Sequence, residues 1–93
     1  MENNFVICVV EDNAPIRKLF CTMLKKAGLE TVDFGDGFSA LSWLKNNPVN
    51  GILLDILLPD INGNDLLKKI KEIEYHKNTP VIAVTGFAQS QDR

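Results

Sequence analysis

Unbroken apolar runs alternate with amphipathic stretches along the chain. Phe5 to Val10 is apolar and rich in β-branched residues, the pattern of a strand buried on both faces. It stops at Glu11-Asp12-Asn13. Asn13 can cap a following helix, and Pro15 falls in that helix's first turn, where a missing N–H costs nothing. Over Ala14–Ala27 the residues Ile16, Leu19, Phe20, Met23, Leu24 and Ala27 recur at helical spacing and predict the inner face. Lys25 and Lys26 occupy the last turn, and Gly28 is the stop. Thr31–Phe34 predicts a shorter, less apolar strand nearer a sheet edge. Gly35-Asp36-Gly37 predicts a turn, and Ser39–Asn46 a helix with Ala40, Leu41 and Leu44 inward.

The second half repeats the alternation. Gly51–Leu54 is another buried strand, ending at Asp55, and Ile56 to Gly63 is a loop punctuated by Pro59 and Gly63. Asn64 or Asp65 opens a third helix, with Leu66, Leu67, Ile70 and Ile73 inward. Lys68, Lys69, Lys71, Glu72 and Glu74 lie outward as a solvated face. Tyr75 to Thr79 reads as a linker. Pro80 introduces a fourth apolar strand, Val81–Val84, ending at Thr85-Gly86, and Phe87 to Arg93 reads as the start of a helix. The order βαβαβαβ predicts an α/β fold: a parallel sheet covered on both faces and joined by right-handed crossovers. No internal repeat or low-complexity tract interrupts it.

At 93 residues there is room for one domain only, and 45% apolar with 24% charged residues is ordinary globular composition. Thr31 to Leu44, the longest nearly uncharged run, is broken by Asp33 and Asp36, so no membrane span is expected. The start lacks a basic segment, so no signal peptide is expected. Cys8 and Cys21 are too few for a disulfide scaffold and predict reduced thiols in the cytoplasm. A net charge of −2 argues against a general nucleic-acid binder.

Open α/β sheets bind ligands beyond the carboxyl ends of their strands. The first strand here ends in Glu11-Asp12, the third in Asp55, and the fourth in Thr85-Gly86. Any one of these acids alone is commonly a solvated loop residue or a helix cap. Together they gather three carboxylates on one rim, and like charges at close quarters raise one another's pKa. A hard divalent cation resolves the repulsion, and Mg²⁺ suits a few carboxylates, several waters and a phosphate oxygen. Asp55 is the informative member, because apolar residues flank it on both sides.

These residues carry a resemblance. Val9-Val10-Glu11-Asp12-Asn13, Leu54 through Gly63 and Pro80 through Gly86 resemble the three motifs of the receiver domain of two-component response regulators. The resemblance spans essentially the whole chain. It implies a flavodoxin-like, doubly wound parallel sheet with strand order 2-1-3-4-5. It implies that Asp55 is the phosphoacceptor, a nucleophile toward phosphohistidine. It also implies that Glu11, Asp12, Asp55 and the backbone carbonyl of Leu57 hold Mg²⁺, and that Thr85 is the switch hydroxyl. The implied donor is a histidine kinase or histidine phosphotransfer protein, and the domain is a signalling switch rather than a turnover enzyme.

The family pattern continues into a fourth helix, a fifth strand ending in lysine, and a fifth helix. No lysine follows Lys77, so residues 1–93 are expected to form one receiver domain, truncated after the fourth strand. Two origins fit: cleavage from a longer regulator, with Arg93 as a tryptic end, or a natural truncation. Such a sheet has an open flank beside Val81–Val84, and self-association through it is expected. Two rival functions are a pseudo-receiver acting through protein contacts alone and a flavodoxin-like mononucleotide binder. The second is weak, because Glu11 to Pro15 is acidic and lacks phosphate-cradling glycines. His76 reads as a solvated loop residue, Cys8 as core, Cys21 as lying off the inner helix face, and Trp43 as half-buried.

Overall fold

The computed structural model describes residues 5–84. Four parallel strands, β1 (Val6–Val10), β2 (Glu30–Phe34), β3 (Gly51–Asp55) and β4 (Val81–Val84), form one sheet in the order β2-β1-β3-β4. Helices α1 (Ala14–Lys26), α2 (Gly37–Leu44) and α3 (Gly63–Lys71) connect them, with a 3-10 turn at Glu74–His76 before β4. The flavodoxin-like arrangement expected from the sequence is present over these residues. Strand order reverses at β1, which puts the switch point between β1 and β3. β2 is an edge strand, as its mixed polarity predicts.

Alternation along the strands separates two faces. Cys8 and Val10 on β1 and Ile52 and Leu54 on β3 join Ala40, Leu41 and Leu44 of α2 and Leu66 and Ile70 of α3 in the buried core. Trp43, half-buried, packs on Phe34 with ring centroids 5.7 Å apart. On the opposite face α1 packs against β1 and β2. There Ile7, Leu24, Leu29, Leu53, Pro80 and Ile82 line an open apolar groove, and Ile82 is 64% exposed.

Helix boundaries follow local chemistry. Asn13 Oδ1 accepts from the Ile16 N–H at 3.0 Å and starts α1. Gly28, at φ +91°, follows its end in a conformation that only glycine adopts freely. α2 begins at Gly37, two residues before the expected start, because Asp36 caps it through the Ser39 N–H at 3.2 Å. It ends at Leu44, where Asn47 Nδ2 donates to the Trp43 carbonyl oxygen at 2.8 Å. α3 begins at Gly63 rather than Asn64 or Asp65. The Gly63 N–H donates to the Ile56 carbonyl at 2.9 Å, and a Cβ there would lie 2.4 Å from Ile56 Cα. Only glycine allows backbone that close.

Several side-chain expectations are corrected. His76 is fully buried rather than solvated. Its Nε2 lies 3.0 Å from the Leu44 carbonyl oxygen and 3.2 Å from that of Asn47, and its Nδ1 lies 3.2 Å from Thr79 Oγ1. One imidazole thus joins the end of α2 to the connection before β4, and the supposed linker contains a helical turn. Lys71, expected outward, is half-buried and donates from Nζ to the Thr79 carbonyl. Cys21 is only 8% exposed, whereas Leu19 and Met23, expected inward, are exposed. The inner side of α1 is centred on Phe20, Cys21 and Leu24, and among the described residues the helix packs mainly against β1 and β2. Cys8 is core, as expected. Burial first, then the charge of Asp33, pushes its thiol up to about 12, so it stays protonated and unreactive.

Candidate functional site

The carboxyl ends of β1 and β3 lie side by side, since Val10 pairs with Leu54. The residues that follow each pair member are Glu11 and Asp55. Glu11, Asp12 and Asp55 offer carboxylate oxygens within 4.8 Å of one another, with Glu11 and Asp55 buried and Asp12 exposed. The structure therefore brings together the three acids that the sequence separates. Thr85 lies outside the described residues.

Burial is the main cause that raises the Glu11 and Asp55 carboxyls above the usual range. The negative charge of Asp12 adds to it for both. Opposing them, the Asn13 N–H donates to Glu11 Oε2 at 3.1 Å and the Leu57 N–H donates to Asp55 Oδ1 at 3.0 Å. A buried carboxylate pair of this kind shares a proton or takes a cation. Three hard oxygen donors at a solvent-reaching rim fit Mg²⁺, which binds through one or two carboxylates and retains waters.

Two residues that the sequence reading passed over brace the segments that carry the acids. Arg17, on α1, donates from Nη1 to the Glu11 carbonyl oxygen at 2.8 Å and from Nε to Asp33 Oδ2 at 2.9 Å. The Glu11 N–H donates to the Phe34 carbonyl at 3.1 Å, so the Glu11 backbone is held on both sides. Gly35 leaves room for this guanidinium, since a Cβ there would lie 3.0 Å from Arg17 Nη1. A lone arginine one turn after an acidic strand end was the available signal. The second residue, Asp60, sits in the loop after β3. Its two carboxylate oxygens accept from the Gly37 and Phe38 N–H groups at 2.9 and 2.8 Å. An aspartate between Pro59 and an apolar Ile61 was its only sequence mark.

Known proteins place this arrangement. The family profile of the response regulator receiver domain matches residues 7–93. The polar-differentiation response regulator DivK of Brucella ovis is 37% identical over 86 residues, which cover 92% of this chain and 70% of DivK. A receiver domain of a sensor histidine kinase from Pseudomonas aeruginosa is 28% identical. It superposes with a TM-score of 0.85 over 98% of this chain and 75% of its own, and it carries a magnesium ion coordinated in its active-site cleft. A CheY-like receiver domain protein from Methanospirillum hungatei is 29% identical, with a TM-score of 0.86 over 94% of this chain and 68% of its own.

Proposed function

The chain belongs to the response regulator receiver domain family, and from that premise we propose that it accepts a phosphoryl group on Asp55 and changes conformation or association in response. The donor is a histidine kinase or a histidine phosphotransfer protein. The meeting of Glu11, Asp12 and Asp55 at the β1/β3 switch point carries this reading. Glu11, Asp12, Asp55 and the Leu57 carbonyl would hold Mg²⁺. The ion supplies neutralisation of charge on the transferring phosphoryl group.

The chain's own contribution is nucleophile and orientation. An Asp55 carboxylate oxygen bonds to phosphorus as the bond from phosphorus to the donor nitrogen breaks, and the electron pair leaves with the imidazole. The Leu57 N–H holds Asp55 Oδ1, which fixes the attacking group before the donor arrives. We assign Thr85 the hydroxyl that meets the phosphoryl oxygen, on the strength of its place after β4. We assign the cytoplasm as the compartment. Among the described residues no helix is long and apolar enough to cross a membrane.

A second contact surface follows from the apolar groove. Ile82 stands exposed beside Leu53 on the sheet face that α1 covers only in part. We assign this flank to pairing with a second copy. The functional reading is tested by incubating the protein with Mg²⁺ and acetyl phosphate. A single base-labile phosphoryl adduct is expected. A folded protein that forms none would instead be a pseudo-receiver working through contacts alone.

A further inference from the structure

The loop between β3 and α3 is tied down at its base and at its tip. At the base, the Gly63 N–H donates to the Ile56 carbonyl, and Leu57 bridges Asn62 in an antiparallel pair. At the tip, Leu58 and Ile61 pack on the core, and Asp60 forks onto the first two N–H groups of α2. Those donors are ones that a helix end leaves unsatisfied, and a carboxylate is the acceptor the helix dipole favours there. The fit is close: a Cβ on Gly37 would lie 2.3 Å from Ile61 Cγ2. The loop tip and the start of α2 are thus shaped for each other across 22 and 23 residues of sequence.

This tether runs on to the acceptor. Asp60 holds the tip, the Leu57–Asn62 bridge joins the two arms, and the Leu57 N–H holds Asp55 Oδ1. We propose that Asp60 is a positioning residue, whose clamp on α2 holds the loop so that the Leu57 main chain orients the Asp55 carboxylate. This deepens the phosphoacceptor reading and rests on it for its functional consequence. It adds that a residue outside the metal and phosphoryl contacts sets their geometry from the far side of the loop.

Helix capping alone is the alternative role, and α2 contains its own control. Asp36 caps the same helix, accepting from the Ser39 N–H at 3.2 Å and from the Ser39 hydroxyl at 3.1 Å; its side chain also meets that of Asp60, but it stands before α2, outside the acceptor loop, and leaves the Gly37 and Phe38 N–H groups to Asp60. The test compares Asp60→Ala with Asp36→Ala in the intact chain. Amide hydrogen exchange is read at Leu57, and Mg²⁺ affinity by calorimetry. Asp60→Ala is expected to speed exchange at Leu57 and to weaken Mg²⁺ binding by about tenfold, the usual lower cost of losing an outer support of a metal site. Asp36→Ala should leave both near the parent values while lowering the melting temperature. Equal effects of the two variants would reduce Asp60 to a cap and overturn the proposal, as would an unchanged Leu57 exchange rate in Asp60→Ala. Leu57 exchange needs no phosphoryl transfer. A parent protein that forms no adduct would therefore sink the acceptor reading without deciding the clamp.

Discussion

Glu11 and Asp55 stand one residue beyond the Val10–Leu54 pair, on neighbouring parallel strands, and their buried carboxyl groups meet. Burial raises both, and the charge of Asp12 adds to the rise. A carboxyl whose folded pKa exceeds its unfolded value binds more protons in the native state across that interval. The metal-free protein should therefore gain stability as pH falls from neutrality through the raised values, with the gain complete below about pH 4. Asp60 acts in the opposite sense. Desolvation, the largest single influence, raises it, but the hydrogen bonds it accepts, those from the Gly37 and Phe38 N–H groups first, together outweigh that and hold it below the usual range. Its stabilisation is present above about pH 4 and is lost as pH falls further. Denaturant midpoints against pH, with and without Mg²⁺, check this. Saturating Mg²⁺ should raise the neutral midpoint and flatten the acid-side rise.

Relief of the same repulsion has a mutational form. Asp12→Ala should stabilise the metal-free fold by about 0.5–1 kcal/mol, since the side chain is exposed and its repulsion is partly screened. It should also abolish most of the thermal shift that Mg²⁺ produces. Melting curves with and without Mg²⁺ measure both. A lower melting temperature without the ion, together with an undiminished Mg²⁺ shift, would count against the acidic pocket.

His76 gives a prediction about the scaffold. Its buried ring meets the Leu44 and Asn47 carbonyls and faces Thr79 Oγ1. His76→Phe keeps an aromatic volume but strands these groups, at a cost of about 1–3 kcal/mol. His76→Ala adds a cavity and should cost about 2–5 kcal/mol. Urea unfolding measures both variants. If both were neutral, the imidazole would not be the joint between α2 and the β4 connection.

What was legible in the sequence was whatever period and strand ends encode. Three apolar runs and a shorter mixed one announced the strands, and Glu11, Asp12 and Asp55 were readable as acids at strand ends. Buried parallel strands must start and stop abruptly, and their ends share one rim. What was not legible depends on contacts between distant segments. His76 looked like a loop histidine because its partners at Leu44 and Asn47 lie 32 and 29 residues away. Asp60 looked like loop punctuation because the N–H groups it accepts from open another helix. The face of α1 was misjudged through Leu19 and Met23, since helical spacing cannot say how many strands a helix covers.

The open groove predicts association. Ile82, Leu53 and Leu29 present apolar surface beside β4, which pairs on one side with β3. Sedimentation at micromolar concentration should show a dimer, the commonest closed assembly of a single chain. Ile82→Lys should shift it toward monomer, since charge on an apolar edge opposes pairing. A well-folded monomer of the parent chain would contradict this.

The central claim is that Asp55 takes the phosphoryl group, and intact-mass measurement tests it most directly. The parent chain and Asp55→Asn are incubated with acetyl phosphate and Mg²⁺ and sampled over time. Asparagine keeps the size of the side chain and removes the nucleophile. The account predicts a single phosphoryl adduct on the parent, released by hydroxylamine, and none on Asp55→Asn. An Asp55→Asn chain that gains the group at the parent rate would contradict it.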